Sequence, residues 1–258
     1  MSSELSILKN TLAKYSGQPN SIQVSQGTSS RHLDVAFVFD TTGSMYPYLQ
    51  QVRGELTRLA SEVRKAIPNV RIGVIAFGDY CDENLTYLTK VLDLTPDFNQ
   101  VEAFVAQVEQ TSGGDTPEAV EEALFEANRL NWRIGSTRAI VLVGDAPPHG
   151  VIDVVANCLY GHHYKTEGNA LAQKGIKIYS TQCGRNSAAE QAFRWLASQT
   201  GGSYLNLENI ADLVDLLISI CLKEVGLLES YTQKLQADNL LTGSKARLLK
   251  QLKGAPDA

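Results

Sequence analysis

Apolar and polar positions alternate along this chain in two rhythms, and the switch between them maps its elements. Leu33 to Phe39 is almost continuously apolar, as a strand covered on both faces requires. Leu49, Val52, Leu56, Leu59, Val63 and Ile67 then recur at steps of three and four, which predicts a helix over 46–67 with one core-facing stripe. Pro47 suits its first turn, and Pro68-Asn69 ends it. Val70 to Phe77 reads as a second strand. Leu85 to Leu92 reads as a third, less apolar one at a sheet edge. Helical stripes follow over 98–110 and 117–130, then a strand over Arg138 to Val143 and a helix over 165–173. A strand over Ile176 to Thr181 precedes a helix over 187–199, for which Ser187 and Glu190 form a capping box. A short strand over Ser203 to Leu207 and a helix over 209–225 come next. Residues 227–252 read as one or two helices broken near Gly243.

Strands alternating with helices predict an α/β fold: a doubly wound, mostly parallel six-stranded sheet with helices on both faces. Terminal helices add to it. Leu5, Leu8, Leu12 and Tyr15 share a stripe over residues 3–15, and a Ser-, Gly-, Gln- and Pro-rich linker covers residues 16–31. The expected division is an N-terminal helix and linker over 1–31, a main domain over 32–222 and a helical extension over 223–258.

Composition narrows the function classes. Among 258 residues, 43% are hydrophobic and 20% charged, which suits a packed core. A net charge of −5 argues against a nucleic-acid surface. Cys81, Cys158, Cys183 and Cys221 show no zinc spacing and read as reduced thiols of a cytoplasmic protein. No secretory leader is visible over Met1 to Asn10, and no apolar run approaches the ~18–20 residues a membrane span needs.

The candidate chemistry lies at strand ends. Asp40-Thr41-Thr42-Gly43-Ser44 turns from the first strand into the first helix, and its side-chain oxygens are hard donors of the kind Mg²⁺ or Mn²⁺ prefers. In an open α/β sheet, ligands bind beyond the carboxyl ends of the strands. If the strand ending at Asp145 lies beside the first, Asp40, Thr42, Ser44, Thr116 and Asp145 form one oxygen-rich cluster. Ser44 could instead cap the helix at 46–67, and Thr116 or Asp115 the helix at 117–130. The acidic loop with Asp79, Asp82 and Glu83 reads as a solvated turn. His149, His162 and His163 lack a complete ligand spacing, and nothing orients Cys81 and His149 as nucleophile and base.

Phe39 to Met45 resembles the D-x-[ST]-G-S motif of von Willebrand factor type A domains. Gly113-Gly114-Asp115-Thr116-Pro117 resembles their second loop, and Val143-Gly144-Asp145-Ala146 their third. The resemblance spans roughly residues 31–222, and is strongest to the domains fused to atypical alpha-kinases and to stand-alone bacterial proteins. It implies a metal-ion-dependent adhesion site with Asp40, Thr42, Ser44, Thr116 and Asp145 as ligands. Thr42 stands where serine is commoner, with an equivalent hydroxyl. The implied function is a non-enzymatic interaction module: bound Mg²⁺ or Mn²⁺ takes a partner's Asp or Glu carboxylate, and loops with Asp79, Tyr80, Asp115 and His149 choose the partner. Self-association through the terminal helices stays open. So does an alternative, because the first loop also resembles the nucleophile loop of haloacid dehalogenase-like phosphatases, in which Asp40 would be phosphorylated. Against that, His149 and Gly150 stand where their second metal-binding acid belongs.

Overall fold

The computed structural model describes residues 32–114, 116–152 and 159–254. The expected helix over 3–15, Asp115 and Cys158 lie outside the described residues. The sheet has six strands: β1 (His32–Asp40), β2 (Asn69–Phe77), β3 (Thr89–Thr95), β4 (Thr137–Gly144), β5 (Lys177–Cys183) and β6 (Tyr204–Leu207). Their order is β3-β2-β1-β4-β5-β6, and every pairing is parallel except the antiparallel β2–β3 edge. Strand order therefore reverses between β1 and β4, which pair directly from Leu33 opposite Thr137 to Phe39 opposite Val143.

Eight α-helices surround the sheet among the described residues: α1 (Tyr46–Ala66), α2 (Phe98–Gln107), α3 (Val120–Arg129), α4 (Tyr164–Gln173), α5 (Ser187–Thr200), α6 (Leu213–Glu224), α7 (Leu228–Ala237) and α8 (Gly243–Leu252). Side chains of a strand alternate between faces, and the core divides accordingly. Leu33, Val35, Phe37 and Phe39 of β1 join Val141 of β4 and the stripes of α1, α2 and α6 on one face. Ala36 and Val38 join Ile140, Leu142 and the stripes of α3, α4 and α5 on the other. The α7–α8 pair packs Leu228, Leu235, Leu248, Leu249 and Leu252 into the first face, so this apolar stripe is spent within the chain.

Two sequence expectations shift, and a third is sharpened. The third strand begins at Thr89 rather than Leu85. A 3-10 turn over Tyr80–Asp82 continues through Leu85 N–H and Thr86 N–H to the Asp82 carbonyl, and leaves Leu85 in solvent. Helix α5 is capped by Asn186, whose side chain accepts from the Ala188 and Ala189 amides, not by Ser187. Residues 227–252 form two helices, with Gly243 opening the second. No helix among the described residues is long and apolar enough to cross a membrane.

Candidate metal centre

Three loops meet at the carboxyl ends of β1 and β4. In the first, the Asp40 carboxylate accepts both the Thr42 amide (2.9 Å) and the Thr42 hydroxyl (2.6 Å). That hydroxyl has donated its proton, so its lone pairs are left to face a cation. Thr41 points the opposite way. Its buried hydroxyl donates to the Phe77 carbonyl (2.8 Å) and accepts from Tyr87 (2.8 Å). Its own carbonyl accepts the Thr111 amide (3.0 Å), which fastens the first loop to the second. Ser44 sits exposed in a 3-10 turn over Gly43–Met45. It does not cap α1, whose N-cap position is Met45 and carries no side-chain hydrogen bond.

The second loop is gripped through its backbone. Buried Asp82 accepts the Ser112 amide (2.8 Å), the Gly113 amide (3.0 Å) and the Asp79 amide (3.1 Å). Gly113 adopts φ +70°, and a side chain there would approach Glu118 Oε1 to 2.7 Å and Thr42 Cβ to 3.4 Å. Thr116 is exposed and caps nothing, since the N-cap of α3 is Ala119 without a side-chain bond. Beyond Pro117, the Glu118 amide donates to the Pro147 carbonyl (3.0 Å), and Glu118 bridges Pro148. The second and third loops are thereby joined.

In the third loop, Gly144 lets β4 pass close to β1: a Cβ there would lie 3.4 Å from Asp40 Cβ. Half-buried Asp145 follows directly, near enough to the Asp40 carboxylate for its charge to raise that carboxyl. The structure thus brings Asp40, Thr42, Asp145 and Glu118 near one another, with Ser44 and Thr116 exposed on the same loops. Of the rim residues expected to choose a partner, Tyr80 is half-buried, whereas Asp79 and His149 are buried. His162 stacks on Phe125 at 3.8 Å and meets Glu122 at 3.0 Å, and His163 accepts from the Lys165 amide at the start of α4.

Glu118 escapes sequence reasoning, because an acid in the first turn of a helix reads as a helix-end charge. Here its Oε2 is buried without a hydrogen-bond partner. Burial first, then the charges of Asp40, Asp79, Asp82 and Asp145, push its carboxyl up to about 10. Burial likewise lifts Asp40 to about 7, with Asp145 adding to the rise and the Thr42 bonds opposing it. The buried Cys183 thiol is driven well upward by burial and by the same two aspartates.

Among the described residues, no lysine or arginine forms an ion pair with Asp40, Glu118 or Asp145. The donor set suits a hard divalent cation: carboxylates held close together, one buried oxygen orphaned, and hydroxyls beside them. No three His, Cys, Asp or Glu among the described residues make a ready ligand cluster, so hydroxyl oxygens have to complete any shell.

The comparisons agree with this geometry. The model of the von Willebrand factor type A domain matches residues 34–217. An alpha-protein kinase of Dictyostelium discoideum, vwkA, is 29% identical over 125 residues, covering 47% of this chain and 20% of the kinase. An ariadne-like RING finger protein of Acanthamoeba polyphaga mimivirus is 32% identical over 123 residues, covering 45% of this chain and 11% of that protein. The chain thus spans a fifth or less of the curated relatives it matches. Proximal thread matrix protein 1 of the mussel byssus, solved with a zinc-occupied MIDAS motif, superposes with a TM-score of 0.57 at 16% identity, over 76% of this chain and 46% of that one. The chain belongs to the von Willebrand factor type A domain family, a metal-dependent adhesion and interaction fold.

Proposed function

We propose that this chain is a non-enzymatic protein-interaction module whose three loops hold Mg²⁺ or Mn²⁺ and present it to an Asp or Glu side chain of a partner. The observation that carries the reading is the Asp40 carboxylate. It is 2% exposed, held by Thr42 and set against Asp145, with no basic side chain of the described residues paired to it. Asp40, Thr42, Ser44, Thr116 and Asp145 would hold the cation, and Glu118 places a buried carboxyl beside them. When bound, the metal supplies a Lewis-acidic position that an incoming carboxylate oxygen can fill. The chain's own part is to keep Asp40 oriented through Thr42, to space the loops through Thr41 and Asp82, and to shield the carboxylates from bulk water. A buried, doubly hydrogen-bonded Asp40 is also a poor nucleophile, which disfavours the phosphatase alternative.

Apolar side chains supply contact area next to the Tyr80 loop. Leu85 is 77% exposed and Tyr160 52% exposed, and the Tyr160 ring lies 6.2 Å from that of Tyr80. A partner segment that places its carboxylate on the metal can bury these side chains.

Two measurements test the reading. Calorimetric titration of Mg²⁺ and Mn²⁺ should give saturable binding to the wild type and none to Asp40→Ala. Panning a random peptide library on the wild type in Mn²⁺, with elution by EDTA, should enrich Asp and Glu. Binding of metal by Asp40→Ala as tight as wild type, or EDTA-eluted peptides without acidic enrichment, would overturn the proposal.

A further inference from the structure

We infer that Glu121 is a positioning residue of the metal centre: it pins the far end of the loop that carries Asp145. The inference rests on the reading of that centre as a metal site. Helix α3 packs Val120, Ala123, Leu124 and Ala127 into the core, and Glu121 stands on the same buried side with no exposed surface. A solvated glutamate would belong on the opposite face. This one collects donors from two loops. Its Oε2 accepts the His149 backbone amide (3.2 Å), and its Oε1 meets His149 Nδ1 (2.9 Å) and accepts the Tyr80 hydroxyl (2.8 Å).

The imidazole so held is bracketed on its other nitrogen, with Nε2 3.4 Å from Asp79 Oδ1, and the Tyr80 ring lies 4.9 Å away. Between Asp145 and His149 the chain runs Ala146-Pro147-Pro148, two residues of which have fixed φ. Asp145 therefore sits on a short, stiff span. One end is the last residue of β4, and the other is clamped by the Glu121 carboxylate. The Glu118–Pro147 bond braces the middle.

A carboxylate buried this completely, with no lysine or arginine among the described residues paired to it, is an expensive way to fill space in a core, where an apolar residue of similar volume is often at least as stable. What it supplies instead is two hydrogen bonds, from the His149 amide and the Tyr80 hydroxyl, and a close approach to the imidazole, which together fix where the loop lies. Partners that orient ligands typically contribute 10- to 100-fold to metal affinity.

The test is Mn²⁺ affinity measured beside metal-free melting temperature in the full chain, for wild type, Glu121→Ala, Glu121→Gln and the control Glu126→Ala on the outer side of the same helix. Glu121→Ala should bind Mn²⁺ roughly 10-fold or more weakly. Glu121→Gln keeps a carbonyl for the His149 amide and should fall between it and wild type, and Glu126→Ala should be unchanged. A folded Glu121→Ala protein with wild-type affinity overturns the inference. If Glu121→Ala does not fold, Glu121→Gln decides in the same way: weakened Mn²⁺ binding supports the clamp and unchanged binding overturns it. A wild type that binds no divalent cation would instead sink the metal reading itself, and the clamp with it.

Discussion

Asp34 and Asp40 stand six residues apart on the same face-buried strand, both almost without exposed surface, and their fates are opposite. At the amino end of β1, Asp34 is met by Arg71 (3.0 and 2.7 Å), by the Arg133 side chain and amide (both 2.8 Å) and by Ser136 (3.2 Å). Burial alone would raise its carboxyl, but the bonds to Arg71 and Arg133 outweigh that and hold it below the usual range. At the carboxyl end, the donors to Asp40 among the described residues are the Thr42 hydroxyl and amide, and burial with a second aspartate lifts it to about 7. Among the described residues, the protein supplies its own cations at one end of the strand and none at the other. Burial by itself does not mark a functional carboxylate. The missing counter-charge is what sets Asp40 apart from Asp34.

The comparison breaks most visibly if Asp34 is truncated. Asp34→Ala strands Arg71 and Arg133 and should destabilise the fold by about 3–5 kcal/mol in denaturant unfolding, as loss of one partner of a buried ion pair does. Metal affinity of the protein that remains folded should be unaffected. The mirror-image change, Asp40→Asn, should abolish the metal-induced rise in melting temperature while the metal-free protein melts no lower than wild type, because a repelled charge has been removed.

A pH series separates the two aspartates by sign. Asp40 and Glu118 have folded values above their unfolded ones, so their favourable contribution is complete near pH 4 and is lost as pH rises through about 7 and then about 10. Metal-free protein should therefore lose melting temperature between pH 5 and 9, at roughly 2–4 °C per kcal/mol, and added Mn²⁺ should restore progressively more of it as pH rises. Asp34 has a lowered value, so its contribution is present at neutral pH and is lost only as pH falls through that lowered value. A metal-free melting temperature that climbs from pH 5 to 9 would contradict this assignment. The smallest expected effect is that of Thr42→Ser. It keeps the hydroxyl that donates to Asp40 and should change Mn²⁺ affinity by less than about 3-fold, within the ~1 kcal/mol scale of a retained hydrogen bond.

The Asp40 end of the strand was legible in the sequence, and the pairing of Asp34 was not. Continuous apolar runs identified β1, β2 and β4, because strands covered on both faces leave few polar positions, whereas the placement of β4 beside β1 entered only as a condition. The hydroxyl-rich turn after Phe39 was legible because it interrupts such a run. Glu118 and Glu121 were not. An acid inside an amphipathic helix is assigned to solvent by default, and only the approach of loops distant in sequence turns it inward. The start of β3 was missed for a related reason: Leu85 looks like strand, but the tertiary bonds of Asp82 wind that stretch into a turn.

The grip of Asp82 on the Ser112 and Gly113 amides carries a consequence for protein engineering. A loop held by its backbone does not need particular side chains to keep its course, except where the course itself forbids them. Ser112 is exposed and can therefore be randomised to retune what the site recognises, whereas Gly113 must remain glycine and Asp82 must remain an acid. One buried residue from a neighbouring turn thus makes part of the rim a replaceable surface on a fixed frame.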